Sequence, residues 1–63
     1  MCQSTAFLKK GDKEELILED VAYIKPEIDK LVLIGLLGDR KELKARLVEI
    51  DLMAHKVVLE EIG

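Results

Sequence analysis

Long apolar runs are missing from this 63-residue chain. The longest uncharged stretch, Leu31 to Gly38, is far below the ~20 residues that cross a bilayer as a helix. The opening, Met1-Cys2-Gln3-Ser4, has neither the charged first region nor the apolar second region of a secretory signal. Tryptophan is absent, and the aromatics are Phe7 and Tyr23 alone. With 10 basic against 13 acidic residues and a formal charge of −3, the chain lacks both the basic field and the stacking side chains that a nucleic-acid surface uses. Nucleic acid is therefore an unfavoured partner. The one cysteine, Cys2, excludes an internal disulfide and, without an export signal, fits a reducing cytoplasmic compartment. No phosphate-binding loop, HExxH or His/Cys cluster occurs, and no nucleophile, base and orienting group can be assembled, so the reading is of a non-enzyme.

What is present is a dense set of Leu, Ile and Val broken by regular turn signals. A chain this short forms one domain, residues 1–63, and buries only ~60% of the surface its unfolded form exposes. Domains of this size gain stability from metals or self-association when disulfides are unavailable. Turns are expected at Lys10–Lys13, Pro26–Asp29, Gly38–Arg40 and Met53–His55. Between them the pattern predicts a meander of five strands: Cys2 to Lys9, Glu15 to Lys25, Lys30 to Leu37, Glu42 to Leu52 and Lys56 to Ile62. The apolar phase of the second strand slips at Glu19-Asp20, and that of the fourth near Leu47-Val48, so a bulge or bend belongs at each. A helix over 39–52 is the rival reading, because Lys, Glu, Leu, Ala and Arg favour helix there. Bent strands let a small sheet curl and close, which removes its edges. The expected fold is all-β, a small five- to six-stranded SH3-like or Sm-like barrel. Leu31 to Leu37 carry more apolar groups than one small interior holds, and the surplus face predicts a homodimer.

Cys2 has the most distinctive chemistry. A thiolate is a soft ligand, and at position 2 the free amine of the chain lies beside it. With Met1 retained, its amine, the deprotonated Cys2 amide and the Cys2 thiolate form two fused five-membered chelate rings. With Met1 removed, Cys2 supplies amine and thiolate in one ring. Planar nitrogen and sulfur donors suit Ni(II) or Cu(II), whereas structural zinc favours tetrahedral sites. Residue chemistry alone also allows Cys2 to be a buried packing residue. His55, the single histidine, reads as an exposed or hydrogen-bonded turn residue before it reads as a ligand. Met53 reads as a flexible core filler, and Glu19-Asp20 as a solvated bend.

The start Met1-Cys2-Gln3-Ser4-Thr5-Ala6, the segment Ile17-Leu18-Glu19-Asp20-Val21, Pro26-Glu27, Glu49-Ile50-Asp51-Leu52 and His55-Lys56 together resemble the CooT family across nearly the whole chain. The resemblance implies a small β-barrel homodimer that binds Ni(II) through Cys2, with Met1 beside it, and that handles nickel during maturation of a client nickel enzyme such as carbon monoxide dehydrogenase. Ile28-Asp29 stands where the family pattern suggests a glycine-containing turn, and Ile28 should avoid positive φ there. A protein-interaction module similar to the HypC hydrogenase chaperones is the alternative, since those also begin with Met-Cys. An RNA-binding role, a label applied to some members, is disfavoured by the charge and the aromatics.

Overall fold

A computed structural model describes residues 3–62. Six strands form one sheet: β1 (Ser4–Lys10), β2 (Lys13–Pro26), β3 (Leu31–Gly35), β4 (Arg40–Leu43), β5 (Ala45–Asp51) and β6 (Lys56–Glu61). No helix occurs among the described residues, so the strand reading of 39–52 holds against its rival. The expected fourth strand is two strands, broken at Lys44. The expected third strand ends at Gly35, and Leu36 and Leu37 lie in the following turn. The Cys2 end of the expected first strand lies outside the described residues.

The order across the sheet is β4-β3-β2-β1-β6-β5, which makes β4 and β5 the two edges. Only Lys44 separates them in the chain. A flat sheet of six strands would hold its edges roughly 24 Å apart at about 4.8 Å per strand step. One intervening residue spans at most ~7 Å between its neighbours' Cα atoms. The sheet therefore has to curl until its edges approach at this point. Ile62 N–H donates to the Lys44 carbonyl, 2.9 Å, and ties the end of the chain to the same junction. The result is a curled half-barrel. If β4 and β5 are taken as one broken strand, the chain is a five-membered meander. Its odd count explains why β1 and β6 pair in parallel while the other neighbours pair antiparallel.

The curling is produced by bulges in β2 and β5. In β2 the pairing with β1 slips between Ala6↔Leu18 and Ser4↔Val21, across Glu19-Asp20. Asp20 adopts φ 52°, a left-handed conformation that aspartate tolerates better than most residues. The expected bend is there. Further slips flank it, one in the Ala6/Phe7 pairing and one at the Val21/Tyr23 pairing with β3. In β5 the register jumps between Leu47↔Leu59 and Glu49↔Val58, leaving Val48 as the extra residue, where the phase change had placed it.

Alternation then decides the core. Ala6 and Leu8, Leu18, Leu31 and Leu33, Ala45, Val57 and Leu59 point into the curl and form one buried cluster. Leu33 and Leu59 are fully buried. On the outer face of β3, Val32 is also buried and Ile34 half-buried, as expected for a strand covered on both sides. Met53 departs from its expected role as a core filler: it is 91% exposed, because the turn carrying it projects beyond the end of the sheet. Ile28 is fully exposed and is not among the positive-φ residues.

Candidate functional site

Pairing places the beginning of β1 at one end of the half-barrel between two ordered flanks. On one side Ser4 faces Val21, and Val21 in turn faces Gly35. On the other side Thr5 faces Lys56 in the parallel ladder.

The Thr5 flank is the turn between β5 and β6. The Asp51 carboxylate accepts hydrogen bonds from Met53 N–H at 3.1 Å and Ala54 N–H at 3.0 Å. This local side-chain bridge folds the chain back on itself. His55 closes the turn at φ 55°, and its carbonyl accepts Thr5 N–H at 2.9 Å. The single histidine is thus an exposed turn residue, and its backbone anchors the strand three residues after Cys2. The other flank is the β3–β4 turn. Gly35 N–H donates to the Asp39 carbonyl at 2.7 Å, Gly38 N–H to the Gly35 carbonyl at 3.0 Å, and Leu36 N–H to the Asp20 carbonyl at 2.8 Å. Gly38 sits at φ 91°, which only glycine adopts without strain.

Lys56 is the cation beside the Thr5 flank. Its ammonium lies 2.7 Å from a Glu14 carboxylate oxygen and 5.5 Å from the centre of the Phe7 ring. The hydrogen bond to Glu14 raises its pKa, burial opposes that, and Glu49 and Asp51 add further attraction. One ammonium therefore faces three carboxylates, and the surroundings remain acidic.

Cys2 and Met1, the expected metal donors, lie outside the described residues. Among the described residues there is no group of three or more His, Cys, Asp or Glu side chains that could hold a metal ion. Glu19-Asp20 is an exposed bend, as expected, and collects no further carboxylate or imidazole. No helix of the structure is long and apolar enough to cross a membrane.

The β2–β3 turn and the neighbouring strand β4 carry the densest ion-pair cluster among the described residues. Lys30 Nζ is 2.8 Å and Arg40 Nη2 2.6 Å from the Glu42 carboxylate, and Glu27 approaches Lys30 at 3.7 Å. Glu42 titrates at about 2, held down by its hydrogen bonds to Lys30 and Arg40. An open cavity of ≈ 380 Å³ lies beside it, lined by Asp29, Lys30, Glu42, Leu43 and Lys44. Its charges already neutralise one another, which leaves little unpaired charge to recognise a ligand.

The sequence reading missed the role of Asp51 and the projection of Leu52-Met53. The signal was an aspartate two and three residues before backbone N–H groups that had no ladder partner, the usual start of such a turn.

Comparison with known proteins points in one direction. Residues 1–60 match the family model of the CO dehydrogenase accessory protein CooT. An uncharacterised protein of Archaeoglobus fulgidus is 44% identical over 43 residues, covering 68% of this chain and 96% of its own. An uncharacterised protein of Methanothermobacter thermautotrophicus is 33% identical over 60 residues, covering 95% and 89%. Among solved structures, a protein described as a CooT from Carboxydothermus hydrogenoformans superposes with a TM-score of 0.91 at 39% identity, covering 98% of this chain and 100% of the other.

Proposed function

This chain belongs to the CooT family of CO dehydrogenase accessory proteins, and from that premise we propose that it binds Ni(II) through Cys2 and Met1 and passes nickel to a client nickel enzyme. The observation that carries the reading is the family match from residue 1, which includes the cysteine directly after the first methionine. Bound together to one metal ion, the amine, the deprotonated amide nitrogen and the thiolate would close two fused five-membered rings and offer a planar donor set, the arrangement that Ni(II) favours. The Thr5–His55 bond supports it as well, because it ties the strand that follows these donors to a rigid turn. Nickel is cargo in this reading, not a resident cofactor, and the protein itself catalyses nothing. Its compartment is the cytoplasm, where a free thiolate persists.

The protein works as a homodimer. The supporting observation is apolar surface near β3 that the monomer leaves open: Leu37 is 94% exposed, and Leu36 and Tyr23 are about half exposed. Burial of such groups against a second copy contributes ~25 cal/mol per Å².

Titration of the reduced protein with Ni(II), followed by absorption, tests the reading. Wild type should develop thiolate-to-nickel charge-transfer bands and the d–d bands of square-planar Ni(II). Cys2→Ser should lose both while sedimenting as wild type does. Equal nickel affinity in the two proteins would remove Cys2 from the ligand set.

A further inference from the structure

Beyond the donors at the chain start, one surface of the molecule is built in a way that stability does not require. Strand β5 is an edge of the sheet, and its apolar residues are poorly covered. Ile50 pairs with the inward-facing Val57 and so lies on the core side, yet it is 55% exposed, because the half-barrel is open beside it. Beyond the strand, Leu52 is 76% and Met53 91% exposed. These two are not on a loose loop: the Asp51 carboxylate holds the backbone N–H groups of Met53 and Ala54, and His55 is bonded to β1. A rigid turn therefore holds two large apolar side chains out into water. Ordering them in advance lowers the entropy cost of inserting them into a partner.

The charge around this knob selects the occupant. Glu49 and Asp51 alternate with Ile50 on β5 and so lie on the outer side of the same edge, where Glu14 of β2 reaches Lys56. Lys56 is the one lysine or arginine among residues 47–56, and it faces all three carboxylates. A second copy docking here about a two-fold axis would bring two acidic rims together, each carrying Glu14, Glu49 and Asp51 against a single Lys56. Like charges so placed oppose association. A partner with basic residues around an apolar hollow meets no such cost.

We propose that the Ile50-Leu52-Met53 knob with its Glu49/Asp51 rim is the docking surface for the client enzyme, received by an apolar hollow bordered by Lys and Arg. This rests on the reading of the protein as an accessory factor with a client, and adds which face meets it. The knob adjoins the start of β1, so docking brings the residues that follow Cys2 to the client's surface.

The probe is nickel-free CO dehydrogenase, with affinity measured by calorimetry at about 50 mM and about 300 mM salt. The double variant Leu52→Ser/Met53→Ser should bind at least ~10-fold more weakly, and Glu49→Gln roughly 3-fold more weakly at low salt, the latter difference shrinking at high salt. Both changes are on exposed side chains, so melting temperatures should match wild type, and Ni(II) affinity should be unchanged. Unaltered client affinity in the double variant, or no binding by wild type, overturns the proposal. Conversion of a wild-type dimer to a monomer by the double variant also overturns it, since a second copy would then own the face. The parallel nickel titration separates the two ideas: loss of client binding with intact nickel binding is a docking effect, whereas nickel affinity indifferent to Cys2→Ser refutes the metal reading and leaves the docking result standing.

Discussion

Leu59→Ala is the perturbation that most directly tests whether the curled sheet supports itself. Leu59 is fully buried, with Leu8 opposite it on β1 and Leu47 opposite it on β5. It sits where the two ladders of β6 meet the interior. Truncation removes three carbons, worth about 2.4 kcal/mol at ~0.8 kcal/mol per buried methylene. A cavity contribution follows, because Leu8, Leu33 and Ala45 are held by backbone ladders and cannot collapse fully into the gap; the sum reaches ~3–4 kcal/mol. A chain of this length has a total stability of roughly 3–9 kcal/mol at ordinary values per residue. The variant should therefore be close to its unfolding threshold. The drop in melting temperature should be at least about 12 °C, at ~4–8 °C per kcal/mol for small domains. The control is Leu37→Ala, which alters a side chain that is 94% exposed and should cost under ~0.5 kcal/mol in dilute monomer. Urea unfolding followed by circular dichroism, repeated over a range of protein concentrations, gives both numbers. A loss below ~1 kcal/mol for Leu59→Ala, or a larger loss for Leu37→Ala at every concentration, would refute the placement of the core inside the curl. A Leu37 effect that grows with concentration would instead report the dimer.

Two further outcomes come from charge and backbone. Glu42 has its pKa depressed to about 2 in the folded state, so the Lys30–Glu42–Arg40 cluster stabilises the fold above the ordinary carboxylate pKa and loses that contribution as pH falls toward about 2. A carboxyl NMR titration should find Glu42 still ionised where the ordinary exposed carboxylates have protonated, with its midpoint rising in high salt because the group is exposed. Asp20 stands at φ 52°, so Asp20→Gly should be tolerated, whereas Asp20→Val should cost about 1–2 kcal/mol from β-branched strain in the left-handed region. Equal stability of the two variants, read by thermal melts, would contradict the bulge as the origin of the bend.

The strands and their breaks were legible because each left a local mark. Alternation of Leu and Val with charged residues announced the strands, and the phase slips at Glu19-Asp20 and Leu47-Val48 announced the bulges, since an extra residue reverses which face the following side chains meet. The break at Lys44 left no such mark. Leu43, Ala45 and Leu47 keep one parity straight through it, so the turn there is invisible to periodicity and arises only because the two edges of the sheet must meet.

At the functional end the division is similar. The sequence by itself determined the alternation that makes the chain all-β, the net acidity that argues against a polyanion, and the covalent adjacency of Met1 and the Cys2 thiol, because pattern, composition and covalent position do not depend on folding. Tertiary structure alone decided that His55, distant in sequence, would anchor the start of β1, since a parallel β1–β6 ladder exists only once the meander has curled. It also decided the fate of Met53. Its side chain is as apolar as a core residue's, but the Asp51 carboxylate turns the chain before Met53 can reach the interior, and the exposure follows from that turn rather than from the residue.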